Sequence, residues 1–200
     1  MLHFPAFRKI QTTPELDAFA SAYFQFSGFQ VPRSYYENNL VFGVWWREQL
    51  IGGFVLGAGT RLRTLEVFAG AEHRDTLYRH VEQAEPHTEM CCFWMNPVFQ
   101  QKTVLNFFVW LCVAYALRVF GTRQLIFGTN SARLAALYGA TPKCLLLHSD
   151  VVNHKRTFIF TGPRKDCLLG VAQILWYKIK RLRKMSGKKK EPGQPFLRVA

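Results

Sequence analysis

The residues best placed for chemistry lie between Trp94 and Thr103. An apolar run, Met90–Met95, stops at Asn96-Pro97. A polar segment with Gln100, Gln101 and Lys102 follows, and an apolar helix is expected from about Val104. A strand that feeds the open N-terminus of a buried helix makes an anion site. The first N–H groups there have no internal acceptor, and the helix dipole adds partial positive charge. Lys102 stands at that mouth, so a phosphorylated cofactor would lie against Gln100–Val104. No glycine occurs between Gly70 and Gly121, although glycine is the usual choice where backbone closes on phosphate.

Fewer residues offer acid–base or metal chemistry. Glu66 and Glu89 fall in or beside expected strands, and His87 precedes one. Asn130 sits just past an expected strand, where it could contact a cofactor or cap the next helix. Tyr138 ends that helix and reads either as a proton donor or as a core residue. The five cysteines (Cys91, Cys92, Cys112, Cys144 and Cys167) include no CxxC pair and no histidine at ligand spacing. They read as buried thiols of a reducing compartment, and no metal site is expected. Neighbouring residues of a strand point to opposite faces, so Cys91 and Cys92 are expected to diverge. No Ser-His-Asp pattern or nucleotide-binding loop is present.

The elements that would hold these residues can be read from pattern. Phe7–Thr13 reads as a strand. Thr13-Pro14-Glu15 starts a helix that Gly28 ends. A short helix is expected around Tyr35. Leu40–Trp46 and Leu50–Leu56 form a hairpin across Arg47–Gln49. Residues 61–68 suggest a further strand or edge, and residues 72–83 a helix. Thr88–Met95 is a strand. Val104–Phe120 is so apolar that burial on most sides is expected. A strand over Gln124–Phe127, a helix over Ser131–Tyr138 and strands over Lys143–His148 and Arg156–Phe160 complete the series. A basic amphipathic helix follows over Cys167–Arg183.

This order, an α/β (α+β) arrangement with a mixed central sheet flanked by helices, resembles the Gcn5-related (GNAT) acyl-CoA N-acyltransferase superfamily over roughly Phe7–Thr161. Asn96-Pro-Val-Phe-Gln-Gln-Lys102 resembles the family's approach to its cofactor helix. Thr129–Tyr138 resembles the opening of its next helix. The resemblance implies an N-acyltransferase with acyl-CoA, or acyl-ACP, as co-substrate and no tightly bound cofactor. It implies an amine acceptor of unknown identity. It places the donor's arm along Trp94 and Met95 and its pyrophosphate on the N–H groups of Gln100, Gln101, Lys102, Thr103 and Val104. Asn130 would also touch the cofactor. Tyr138 would protonate the leaving thiolate, and Glu89 would be a candidate base. The pattern's two glycines are replaced here by Gln101 and Thr103, which leaves the carrier open.

The chain has 200 residues and a formal net charge of +13. Eight basic residues and no acid occur from Lys178 to Lys190. Trp176 and Tyr177 adjoin that run, a pattern that suits an anionic membrane surface contacted through residues 168–190. Nucleic acid ranks below it, and a noncatalytic module acting through this tail is the alternative function. The expected organisation is an acyltransferase-like domain over 1–163, a basic helix over 164–185 and a disordered tail over 186–200. The N-terminus lacks a signal-peptide pattern, so the expected location is cytoplasmic, with peripheral membrane contact.

Overall fold

The computed structural model describes residues 4–58, 62–66, 75, 79 and 86–187, with side chains of the last helix described as far as Lys180. Seven strands form one sheet: β1 Ala6–Lys9, β2 Leu40–Trp46, β3 Gln49–Ala58, β4 His87–Met95, β5 Gln124–Thr129, β6 Leu145–Val152 and β7 Lys155–Pro163. Their order is β1-β2-β3-β4-β5-β7-β6. All neighbours are antiparallel except β4 and β5, which are parallel. The parallel pair needs a crossover, and the apolar helix supplies it. Among the described residues the helices are α1 Thr13–Ser27, α2 Arg33–Glu37, α3 Arg63–Glu66, α4 Pro97–Gln100, α5 Thr103–Phe120, α6 Ala132–Gly139 and α7 Arg164–Gly187.

Local sequence explains the hairpins. The β2–β3 turn places Arg47 and Glu48 at φ 49° and 65°, and the β6–β7 turn places Asn153 and His154 at 49° and 60°. Paired positive φ values match the right-handed twist of the flanking strands. Gly28 ends α1 at φ 77°, donating its N–H to the Phe24 carbonyl, a left-handed cap that glycine adopts without strain.

One face of the sheet carries α5, α6 and α7. Trp110, Val113 and Leu117 of α5 pack there with Phe54, Leu125 and Phe127 of the sheet, and with Val171 and Ile174 of α7. The last helix is therefore part of the core. The opposite face carries α1 and α2, with Phe19, Tyr36, Val55 and Trp94 packed together. Helix α3 covers Ile126 and Ile159 with Leu65.

Two expectations fail. Arg63–Glu66 form a helical turn where a strand or edge was expected over 61–68. Its opening N–H groups, Arg63 and Thr64, donate to the Glu89 carboxylate on β4. That cap comes from a distant strand, so local sequence could not announce it. Helix α5 is not buried on most sides. Val104, Leu111, Tyr115 and Val119 form an exposed outer stripe, between 42% and 66% accessible. Its length and mean hydropathy of 1.8 would allow a membrane crossing, yet its inner residues are core. The helix expected over 72–83 falls outside the described residues, Asp75 and Arg79 excepted, as does the tail beyond Gly187.

Candidate functional site

The site begins where the parallel pair ends. Pairing of β4 with β5 runs from His87–Gln124 to Met90–Phe127 and then stops. Beyond it, Cys91–Met95 keeps β3 on one side only. The opposite edge of that stretch faces a cavity of about 630 Å³. A strand edge without a neighbour presents unpaired N–H and C=O groups, so an extended ligand arm can add to it as a strand would.

A bulge shapes this wall. Gly53 pairs with Trp94 and Val55 with Cys91, so Cys92 and Phe93 share the place opposite Phe54. Cys92 takes φ 51°, a conformation that costs a non-glycine residue about 1–3 kcal/mol. The extra residue resets the alternation. Met90 and Phe93 pack toward α5, while Cys91 and Cys92 both pack with the α1 and α2 cluster. Their sulfurs lie 3.5 Å apart. The expected divergence of the two thiols is thus overturned, because a bulge breaks the two-residue period on which it rested.

One end of the cavity meets the α4–α5 junction. Asn96 caps α4 by accepting from the Val98 N–H at 3.0 Å. Gln100 lines the cavity and donates its side-chain amide to the Met95 carbonyl at 2.8 Å. Thr103 and Asn106 of α5 line it as well. Asn106 donates to the Gln100 carbonyl at 3.0 Å, and its buried Oδ1 has no partner. The expected N–H cradle is narrower than Gln100–Val104. The Gln100 and Lys102 N–H groups are already given to the Asn96 and Phe99 carbonyls, because the one-turn helix α4 uses them. The first turn of α5 offers the N–H groups of Thr103, Val104 and Leu105, which have no helical acceptor. Lys102 holds its ammonium over the Phe99 ring, 4.9 Å from the centroid.

The far end is built from α1, the loop after it and α3. Tyr23, Ser27, Phe29, Val31, Arg63 and Thr64 line it. Arg63 donates one terminal amine to the Gln30 carbonyl at 2.9 Å, while its buried Nε has no partner. Buried Thr64 likewise leaves its hydroxyl oxygen without one. No carboxylate pairs with Arg63 among the described residues.

Of the residues singled out from sequence, Met95, Gln100, Thr103 and Asn130 line the cavity. Asn130 is fixed there by donating to the Thr157 hydroxyl at 2.6 Å. Ser131, not Asn130, caps α6 by accepting from the Leu134 N–H. Trp94, Gln101, Lys102 and Val104 fall outside the lining. Trp94 turns its ring toward α1, stacked on Phe26 at 5.5 Å, and Val104 points to solvent. Tyr138 is not brought to the cavity. It is 3% exposed and wedged between Phe127 and Phe160. Burial pushes its hydroxyl well above the ordinary range, so it is a poor proton donor.

Glu89 is also off the cavity, at 1% exposure. It accepts from Tyr35 Oη at 2.6 Å, from the Arg63 N–H at 2.9 Å and from the Thr64 N–H. Burial raises its pKa, and these hydrogen bonds oppose the rise. Sequence reading missed Arg63, Thr64 and Asn106. Tyr35 Oη also lies 3.0 Å from Cys91 Sγ, a contact that joins α2 to β4 and leaves no sequence signal.

No family model matches the chain, and no curated protein matches it. Solved structures do. FeeM, an N-acyl amino acid synthase from uncultured soil microbes, aligns with TM-score 0.53 at 14% identity, over 82% of this chain and 93% of that one. Arabidopsis thaliana NAA60 in complex with acetyl-CoA aligns with TM-score 0.52 at 10% identity, over 80% and 98%. A Desulfovibrio desulfuricans protein assigned to the GNAT family of acetyltransferases aligns with TM-score 0.51 at 12% identity, over 80% and 99%. The fold is that of the GNAT acyl-CoA N-acyltransferases.

Proposed function

We propose that the cavity transfers an acyl group from a thioester carrier, acyl-CoA or acyl-ACP, to an amine. The observation that carries this reading is the parting of β4 from β5 after Met90 and Phe127, with one cavity running from the first turn of α5 to α1 and α3. The carrier's arm lies along the free edge of Cys91–Met95. Asn106 Oδ1 and the first-turn N–H groups of α5 meet its polar and anionic parts. The acceptor enters from the opposite end. Acyl transfer forms a C–N bond, breaks a C–S bond and returns the amine's proton to the departing sulfur. A polarised carbonyl and a proton acceptor are therefore required. The Arg63 guanidinium, with its Nε free and no carboxylate against it among the described residues, fits an acceptor that carries an anionic group beside its amine.

Isothermal titration with acetyl-, octanoyl- and palmitoyl-CoA tests the carrier. Binding with a melting shift is expected, and Lys102→Glu should weaken it about tenfold by reversing a charge at the mouth. Absence of heat and of any shift with all three would remove CoA as carrier. The same titration with acyl-ACP would then decide the rest.

A second reading concerns the outer surface. Helices α5 and α7 lie on the same sheet face, so their outward sides look the same way. Leu111, Tyr115 and Val119 are exposed on one, Leu169 and Trp176 on the other. Lys180 sits over Trp176 at 5.4 Å, and further basic residues follow in sequence. This favours peripheral contact with an anionic membrane, on the cytoplasmic side, with or without catalysis. Removing α7 would unfold the core, so point substitutions are the fair test. Leu169→Glu with Trp176→Glu should abolish cosedimentation with phosphatidylserine vesicles. Unchanged binding would sink the idea.

A further inference from the structure

The base candidate and the cavity are connected through one thiol. Glu89 and Tyr35 do not line the cavity, but Cys91 does. Tyr35 gives its single proton to the Glu89 carboxylate at 2.6 Å. Its oxygen, 3.0 Å from Cys91 Sγ, is then left to accept the Cys91 S–H. The three groups make a continuous chain, S–H to O–H to carboxylate, that runs from the cavity wall into the core.

The surroundings are built for this chain. Glu89 receives donors on both oxygens, which is the demand of an ionised carboxylate. Gly57 on β3 pairs with Glu89. A Cβ there would fall 2.7 Å from Tyr35 Oη and 3.3 Å from Glu89 Oε2. Cys91 is the first residue past the last β4–β5 pair, so it stands on the free edge along which the proposed arm lies. Resting on the acyl-transfer reading above, we infer that Cys91 is a catalytic nucleophile that carries the acyl group between donor and amine.

The step balances. Cys91 passes its proton to Tyr35 as Tyr35 passes its own to Glu89. The sulfur attacks the thioester carbonyl carbon. The donor's C–S bond breaks, and its thiolate leaves into the cavity while Glu89 keeps the proton. One thioester has been exchanged for another, with no oxidant or cofactor. The amine then attacks the Cys91 thioester, the amide forms and the amine's proton passes to solvent, while the departing Cys91 sulfur regains its proton from Glu89 through Tyr35. Burial holds the Cys91 thiol well above its usual range, so free thiolate does not accumulate. Proton and carbon–sulfur bond must move together, which is what a pre-aligned chain provides. The titratable groups around it are Tyr23 from α1, Tyr36 from α2, Arg63 from α3 and Cys92 on β4.

The test uses the full chain with acetyl-CoA and octanoyl-CoA and no amine. Intact mass after acid quench should show one acyl adduct, removed by neutral hydroxylamine and mapped to Cys91. Its formation should rise with pH through the raised pKa of Glu89. Tyr35→Phe should slow it about tenfold and flatten that profile. Cys91→Ala should release CoA at least about 100-fold more slowly, with melting temperature as the check on folding. An adduct on Cys92 alone, or amine acylation by wild type with no thioester adduct, would overturn the inference and leave acyl transfer standing. No binding and no turnover with either acyl-CoA or acyl-ACP would bring down both.

Discussion

Strand β4 has two halves that behave differently. From Thr88 to Met90 it is paired on both sides, with β3 and with β5. Thr88 exchanges hydrogen bonds with Thr122 there, and Glu89 caps α3. From Cys91 to Met95 it keeps β3 alone, bulges, holds a non-glycine residue at positive φ and faces the cavity. The first half spends its polar groups on the fold. The second leaves them for a ligand. The contrast teaches that the site is made by withholding a neighbour from a strand, not by adding a special loop.

The sharpest way to break the contrast is at Glu89, which sits in the first half but serves the second. Glu89→Ala strands two buried N–H groups and the Tyr35 hydroxyl, at about 1–3 kcal/mol each, so a loss of about 4 kcal/mol is expected in urea unfolding. A loss under 1 kcal/mol would mean that the capped α3 is not part of the cooperative unit.

Gly53, behind the bulge, should come next. A Cβ there meets the Phe42 carbonyl at a distance no backbone can keep, and the Phe19 ring at 2.7 Å. Gly53→Ala should cost about 3 kcal/mol and also weaken ligand binding, because the bulge must shift. Thr88→Val in the first half should cost about 1–2 kcal/mol by orphaning the Thr122 N–H, yet leave acyl-CoA affinity unchanged. If both variants changed affinity equally, the two halves would not be separable.

How much of this was legible follows the same division. The hairpins, the Gly28 cap, the apolar crossover and the Asn96 stop are local, and residue type with spacing is enough to find them. Met95, Gln100, Thr103 and Asn130, which line the cavity, stand at ends of elements, where sequence pattern marks a change. What was missed depends on contacts far apart in the chain. The α3 turn is capped by Glu89, 25 residues away. Tyr35 reaches Cys91 over 56 residues. The bulge that sets both thiols on one face has no glycine to advertise it, and Tyr138, read either as a proton donor or as a core residue, takes the core place, enclosed by rings from two strands.

Cys92 gives the smallest effect and the finest test of the division. Its φ of 51° is tolerated by glycine and punished most in β-branched residues, whose Cβ substituents crowd the neighbouring carbonyl. Cys92→Gly should be nearly neutral in thermal melts, since relief of about 1 kcal/mol of backbone strain offsets the loss of a small buried side chain. Cys92→Val keeps the volume and should cost about 2 kcal/mol. In the paired half the order should reverse. Met90 lies in regular strand, so Met90→Val should cost only about 1 kcal/mol, while Met90→Gly should cost about 4 kcal/mol by emptying a core position. The sign of the Gly-minus-Val difference therefore reads the backbone state at each position directly. If glycine proved worse than valine at both, the bulge at Cys92 would be absent, and the two thiols would return to opposite faces of the strand.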